Sequence, residues 1–131
     1  MSISKKLAIC ISLSLALVSS SVFAQGKMPD QYRQMGGIAA LAESCLNTKR
    51  LETTLFKTIG KALYNNPKIG RALYQLMAFY FEGYDIGLKK RVVWNGSLQR
   101  YNKKIFNCKS KSDVSIIRKF ETQILQQLGD K

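Results

Sequence analysis

The chain has 131 residues, of which 21 are Lys or Arg and 8 are Asp or Glu, and it contains no histidine. This length accommodates one domain with a modest core. The missing histidine excludes the commonest general base, metal ligand and catalytic-triad member. A formal charge of +13 favours encounters with anionic partners. No pattern of residues indicates a metal or a cofactor, and we expect the protein not to be an enzyme.

The first 24 residues have the parts of a secretory signal in order. Lys5 and Lys6 precede an apolar stretch, Leu7–Val18, and small residues follow at Val22 and Ala24, where a signal peptidase would cut. The apolar stretch is about 12 residues long, whereas a membrane-spanning helix needs roughly 20. We therefore expect cleavage near Ala24, a mature domain over 25–131 without a transmembrane helix, and a periplasmic or secreted location.

Cleavage would leave two cysteines, Cys45 and Cys108, because Cys10 departs with the signal. An even number of cysteines in an oxidising compartment predicts one disulfide. The bridge would close a loop of 64 residues, counting both ends, which stabilises a fold by about 4 kcal/mol. Two distant cysteines without histidine do not form a zinc site.

Apolar periodicity predicts an all-α fold, a small disulfide-linked bundle of about four helices. The first helix is predicted over about 31–47, with Asp30 as its cap and a frayed start at Gly36 and Gly37. The second is predicted over about 49–64, because apolar residues recur there every four positions.

The third helix is predicted to be the longest, over about 67–92, with Asn66 as its cap and Pro67 in its first turn. Its apolar face carries several aromatic residues, which places it at the centre of the fold. Gly83 and Gly87 lie one turn apart, and this spacing predicts close packing against another helix.

Two structures are compatible with the segment after the third helix. Asn95-Gly96 favours a short hairpin or turn near residues 92–99, whereas Ser97 could instead cap a short helix. The last helix is predicted to begin with Ser112 and Asp113 as its cap and to end at Leu128, with Gly129 as the stop signal.

Eight basic residues and no acidic residue occur within residues 89–111, and they form the candidate anion-binding set. The set comprises Lys89, Lys90, Arg91, Arg100, Lys103, Lys104, Lys109 and Lys111. Export argues against nucleic acid as the partner. An acidic protein face or an anionic envelope component, such as a lipid headgroup, lipopolysaccharide or a cell-wall polymer, fits the location better. The alternative is a solvated surface in which the first three cations favour a helix C-terminus.

One carboxylate pair is a candidate for catalysis. Glu82 and Asp85 are three residues apart on the third predicted helix, and glycosidases use two carboxylates. Any amphipathic helix offers such pairs, however, and Lys89 is placed four residues after Asp85 to pair with it. The structural role is therefore the one we expect.

The Gly-rich start of an Ala-rich helix ending in Cys45, with a second cysteine before the terminal helix, resembles small exported proteins of Gram-negative bacteria. The resemblance implies a non-enzymatic binding or structural protein of the cell envelope. Proteins of this class serve as subunits of envelope-spanning assemblies, including secretion machines. The alternative function is a secreted factor acting on anionic membranes or glycans of another cell.

Overall fold

The computed structural model of the chain describes residues 27–96 and 100–129, and the predicted signal segment lies outside them. Four α-helices dominate this part of the chain: α1 (Lys27–Leu41), α2 (Arg50–Asn65), α3 (Gly70–Lys90) and α4 (Lys111–Gln127). A five-residue π-helix, Ala42–Leu46, extends α1, and a 3₁₀ turn, Pro67–Ile69, precedes α3. The predicted all-α fold with four main helices is confirmed.

The first helix begins earlier than predicted. Asp30 lies inside α1 and is not its cap, since its carboxylate accepts a hydrogen bond from Arg33 at 2.9 Å. The helix is also not frayed at Gly36 and Gly37, because both residues are buried in the interface with α3. Helix propensity penalises glycine, but the packing of two helices outweighs that local penalty here.

Glycines allow α1 and α3 to approach each other backbone to backbone. A Cβ atom on Gly36 would meet the carbonyl oxygen of Tyr80 and would lie 2.7 Å from the nitrogen of Tyr84. One turn further along α3, a Cβ atom on Gly87 would lie 2.9 Å from the carbonyl oxygen of Gly37. The close packing predicted from the Gly83 and Gly87 spacing is therefore confirmed.

Two tyrosines of α3 link the other helices by hydrogen bonds. The Tyr80 hydroxyl donates to Glu52 of α2 at 2.9 Å, and the Tyr84 hydroxyl donates to Glu43 at 2.5 Å. Burial and the adjacent carboxylates raise the pKa of both phenols. The bond from Tyr84 lowers the pKa of Glu43, so this carboxylate is ionised at neutral pH.

The segment after α3 forms the hairpin and not the helix. Strands β1 (Trp94–Asn95) and β2 (Arg100–Tyr101) pair antiparallel, with Trp94 opposite Tyr101 and Asn95 opposite Arg100. Because Asn95 is itself paired with Arg100, Asn95 and Gly96 are not the two central residues of a tight turn, which the sequence favoured. Ser97, the cap of the alternative helix, lies outside the described residues.

The predicted disulfide joins Cys45 in the π-helix to Cys108, three residues before α4. The actual N-cap of α4 is Ser110, whose hydroxyl accepts from the backbone N–H of Asp113 at 3.3 Å. The cap predicted at Ser112 and Asp113 is therefore displaced by two residues. The bridge holds the end of the first helical segment against the start of the last, as the sequence led us to expect.

Candidate functional site: a basic cleft and an amide-lined cleft

The end of α3 and the chain after β2 form a cleft of about 530 Å³, which we call the basic cleft. Arg91 closes α3 in the left-handed conformation (φ 55°), and its N–H donates to Gly87 at 2.8 Å. The chain then returns alongside itself, since the N–H of Phe106 donates to the Arg91 carbonyl at 3.0 Å. This return places residues 101–105 beside 89–92. The lining consists of Lys89, Lys90, Arg91, Val92, Tyr101, Asn102, Lys103 and Ile105.

The four cations of the basic cleft differ in their pairing. Lys89 forms an exposed ion pair with Asp85 at 3.2 Å, which is the pairing predicted from their spacing. Lys90, Arg91 and Lys103 are exposed and make no ion pair with any acidic side chain in the described part of the chain. These three cations are therefore the ones positioned to meet an external anion.

The remaining members of the predicted basic set lie elsewhere. Lys104 forms an ion pair with Asp113 at 2.8 Å, and its ammonium lies 5.4 Å from the centre of the Phe106 ring. Lys109 and Lys111 flank the start of α4, where they line a shallow depression of about 290 Å³ together with Arg118. Arg100 pairs with Asn95 through the β ladder, and its side chain is not described. The structure thus divides one run of sequence into separate surfaces.

The Asp113 carboxylate is buried and held by two donors. The Lys104 ammonium and the backbone N–H of Asn107, 2.9 Å away, lower the pKa of this carboxyl. Since Asp113 also lies in the first turn of α4, its negative charge complements the positive end of the helix dipole. Lys104 is consequently engaged in fixing the loop before α4.

The two candidate catalytic carboxylates have structural partners. Glu82 forms an ion pair with Arg33 at 3.3 Å and accepts a hydrogen bond from the Tyr101 hydroxyl at 3.3 Å. Burial of Tyr101 and the Glu82 charge raise the pKa of this phenol to about 12. Asp85 is bound to Lys89. Each carboxylate therefore has a cation beside it, and Glu82 connects α3 to the hairpin.

Arg33 lies between two aromatic rings, an arrangement that the sequence did not indicate. Its guanidinium carbon is 4.5 Å from the centre of the Phe79 ring and 4.8 Å from the centre of the Trp94 ring. Trp94 also makes an edge contact with Tyr101, at 5.0 Å between ring centres. These contacts fix the hairpin against α1 and α3.

A second and larger cleft, of about 740 Å³, lies between α1 and α4, and we call it the amide cleft. Its walls are one face of each helix, and its floor comes from the hairpin and the chain before Cys108. The α1 wall presents Gln31, Gln34, Met35 and Ile38, and the α4 wall presents Phe120, Gln123, Ile124 and Gln127. The floor comprises Val93, Trp94, Asn95, Gly96, Asn102 and Phe106.

The amide cleft is lined by no ionisable side chain of the described residues, although the Arg33 and Lys104 cations lie over two of its rings, Trp94 and Phe106. The sequence analysis did not predict this cleft, because Gln and Asn residues form neither a charge cluster nor an apolar stripe. The one signal is local: Gln31 and Gln34 on α1, and Gln123 and Gln127 on α4, border the apolar residues at helical spacing.

The chain matches no protein-family model, and no curated protein or solved structure shows a significant match. No group of three Cys, Asp or Glu side chains in the described residues is arranged to hold a metal ion. None of the helices described is long and apolar enough to cross a bilayer.

Proposed function

We propose that the protein is an exported, non-enzymatic binding protein of the bacterial cell envelope, whose basic cleft receives an anionic partner. The observation that carries the proposal is the convergence of Lys90, Arg91 and Lys103 on one cleft, exposed and without an acidic partner among the described residues. Three unpaired cations at one concave site attract an anion more strongly than scattered charges do. An envelope-spanning assembly, such as a secretion machine, is the setting we infer for this partner.

The Cys45–Cys108 bridge supports the export that this proposal requires. Disulfides form and persist in oxidising compartments and are rare in the cytosol. Together with the apolar segment before residue 25, the bridge favours the periplasm or the exterior. There the available anions are lipid headgroups, lipopolysaccharide, cell-wall polymers and acidic protein faces.

One feature of the same cleft favours a second candidate function. Ile105 is 68% exposed, lines the same cleft as Lys90, Arg91 and Lys103, and follows Lys104 in the chain. An exposed aliphatic side chain among lysines suits the surface of an anionic membrane, where the apolar group enters the interface and the cations contact phosphates. This candidate is a secreted factor that acts on the anionic membrane of another cell.

The test uses charge reversal with a matched control. The variant Lys90→Glu/Lys103→Glu changes the basic cleft, and Lys57→Glu/Lys61→Glu makes the same change in charge at two exposed positions of α2. The probes are polyglutamate, lipopolysaccharide, and vesicles of phosphatidylglycerol and phosphatidylethanolamine. We expect the first variant to lose at least tenfold in affinity for the anion that binds, while the control retains most of it. Binding should weaken with added salt.

A third variant separates the two candidate functions. Ile105→Ser should weaken binding to the vesicles and leave binding to polyglutamate unchanged if the partner is a membrane. Recovery of the protein only from culture supernatant would contradict a role as an envelope subunit. Equal losses in the cleft variant and the α2 control would show that net charge, and not the cleft, governs binding.

A further inference from the structure

The long helix α3 carries two apolar stripes, and only the inner one packs inside the protein. The inner stripe consists of the buried residues Leu73, Leu76, Tyr80, Gly83 and Gly87. It holds α3 against α1, since Gly83 and Gly87 lie on the backbone of that helix. The outer stripe contains Tyr74, Phe81 and Leu88, which are 80%, 50% and 42% exposed. The core is therefore complete without the outer stripe.

Phe56 of α2 widens the outer stripe in its middle. The Phe56 ring is 41% exposed, and its centre lies 6.2 Å from the centre of the Phe81 ring. We call the surface formed by Phe56, Tyr74, Phe81 and Leu88 the outer face. Single exposed apolar side chains are common on proteins, whereas exposed apolar groups that adjoin one another mark a surface where another molecule binds.

The outer stripe is straight and has the length of a short helix. Tyr74, Phe81 and Leu88 follow one another at intervals of seven residues, which keeps them nearly in line along α3. The distance along the helix axis from the first to the last is about 21 Å. A partner helix that presents apolar residues on one side would cover this length with about 14 residues. The shape of the stripe therefore fits a helix laid along α3.

The charges beside the outer face indicate an acidic partner. Residues 53–81 contain no Asp or Glu, and their four cations are Lys57, Lys61, Lys68 and Arg71. All four are exposed and make no ion pair with an acidic side chain in the described ranges. Arg71 lies three residues before Tyr74 in α3, which places it beside one end of the stripe. Carboxylates at that end of a partner would complement these cations.

Two other occupants suit the outer face less well. A second copy of the chain would bring the same cations, and the chain from residue 25 onwards has 19 basic and 8 acidic residues, so two copies repel each other. An anionic membrane would meet the carboxylates of Glu82 and Asp85, whose side chains are 44% and 60% exposed next to Phe81 and before Leu88. A partner helix avoids this repulsion, because its own carboxylates can lie at the opposite end, near Arg71.

We propose that the outer face binds an amphipathic helix of a partner protein, with apolar side chains along one side and carboxylates at the end that meets Arg71 and Lys68. Tyr74 and Phe81 would be the anchors of this interface, since exposed aromatic residues commonly supply much of the binding energy. The outer face shares no residue with the basic cleft, and the inference does not rest on the function proposed for that cleft.

The probe is a fluorescein-labelled peptide of about 18 residues, a length at which an alanine-rich sequence is partly helical in water. It carries leucine along one side, glutamate in its first turn, and alanine and glutamine elsewhere. One control peptide has the same composition with the leucines spread around the helix, and the other has lysine in place of glutamate. We expect the acidic amphipathic peptide to raise the fluorescence anisotropy saturably and both controls to bind about tenfold more weakly.

A pair of phenylalanine variants shows whether the outer face carries the binding. Phe81→Ala removes a partly exposed ring of the outer face, and Phe120→Ala removes a partly exposed ring of α4. We expect the acidic peptide to bind the first variant about tenfold more weakly and the second as tightly as wild type. Tyr74→Ala should give a similar loss with an unchanged fold, because its ring is almost fully exposed and alanine favours helix.

A charge variant tests the direction of the electrostatic preference. Arg71→Glu should weaken binding of the acidic peptide and strengthen binding of the lysine peptide, because the sign of the charge beside Tyr74 is reversed. The control is Lys109→Glu, at an exposed position before α4, which should change neither affinity by as much. Added salt should reduce both effects of Arg71→Glu.

Several outcomes would overturn the inference. They are the absence of saturable binding up to about 1 mM acidic peptide, equal binding of the peptide with spread leucines, and equal losses in Phe81→Ala and Phe120→Ala. A dimer in sedimentation that Tyr74→Ala dissociates would assign the face to a second copy. Binding to phosphatidylglycerol vesicles that Tyr74→Ala abolishes, without peptide binding, would assign it to a membrane. Polyglutamate has no apolar side chain and should bind the basic cleft of Tyr74→Ala normally, so failure here is distinguishable from failure of the proposed function.

Discussion

Gly83 of α3 lies directly against the backbone of Arg33 in α1. A Cβ atom built on Gly83 would meet the carbonyl oxygen of Arg33 and would lie 2.7 Å from its carbonyl carbon. The obstacle is backbone, which cannot rotate away as a side chain does. The two helices therefore keep their present separation only while position 83 has no side chain.

The first prediction is that Gly83→Ala destabilises the protein by about 2–3 kcal/mol, because the added methyl group forces α1 and α3 apart. The matched control is Gly60→Ala in α2, where nothing lies within 4 Å of the added atom. That change should stabilise the fold by about 0.5–1 kcal/mol through helix propensity. Urea unfolding followed by circular dichroism measures both, and equal stability of the two variants would contradict the packing argument.

The same glycines show how far the sequence predicts this fold. Periodicity located all four helices to within a few residues, because each helix buries an apolar stripe of period 3.6. Gly36 and Gly37 were misread as a frayed start, since local propensity does not reveal which backbone will pack against them. Tertiary contact decides that question, and contact between residues 36 and 80 is not encoded locally.

The candidate site was predictable only in part, for a related reason. Proximity in sequence grouped eight cations, yet the fold brings Lys90, Arg91 and Lys103 into one cleft and turns Lys104 towards Asp113. Neighbouring lysines on an irregular segment point in different directions. Because such a segment has no regular period, the sequence does not predict which lysine lines the cleft and which pairs with a carboxylate. The amide cleft is built from residues far apart in the chain, such as Gln34 and Gln123, and no sequence pattern groups them.

The second prediction concerns the bridge between Cys45 and Cys108. The double variant Cys45→Ala/Cys108→Ala should lose about 4 kcal/mol of stability, because the unfolded chain gains the freedom of a loop whose ends are 63 residues apart. The measurement is the urea midpoint of the chain from residue 25 onwards. Reducing the wild-type chain should give a similar loss, since residues 25–131 contain no other cysteine. Unchanged stability in both experiments would show that the bridge is dispensable for folding.

The third prediction assigns opposite roles to two neighbouring lysines. Lys103→Gln should weaken anion binding with little change in the melting temperature, because Lys103 is exposed and lines the basic cleft. Lys104→Gln should lower the melting temperature and affect binding less, because its ammonium holds Asp113. Thermal unfolding and a binding titration on both variants check this, and interchangeable behaviour would contradict the assignment.

The melting difference of Lys104→Gln should also depend on pH. The pKa of Asp113 is lowered from 3.8 in the folded protein, with Lys104 as the largest cause. The ionised carboxylate contributes its full stabilisation when the pH is above the pKa of Asp113 in the unfolded chain. This stabilisation is lost as the pH falls through the pKa of Asp113 in the folded protein. The difference between wild type and variant should therefore be largest near neutral pH and disappear in strong acid.

The fourth prediction concerns Glu121, a carboxylate that is only 6% exposed and whose Oε2 atom has no hydrogen-bond partner among the described residues. Burial raises the pKa of Glu121 above 4.5, and the nearby charges of Arg50 and Arg118 offset this only in part. A carboxyl whose folded pKa is raised binds its proton more tightly when folded. Glu121 therefore destabilises the fold progressively as the pH rises above the pKa that this carboxyl has in the unfolded chain.

Glu121→Gln should accordingly raise the melting temperature at pH 7, because the amide removes a buried charge and keeps a similar volume. Below about pH 3 the wild-type group is protonated in both states, and the two proteins should melt at similar temperatures. The control is Glu82→Gln, which removes the ion pair with Arg33 and should lower the melting temperature at pH 7. A destabilised Glu121→Gln at neutral pH would show that Arg50 and Arg118 stabilise the ionised carboxylate by more than burial costs it.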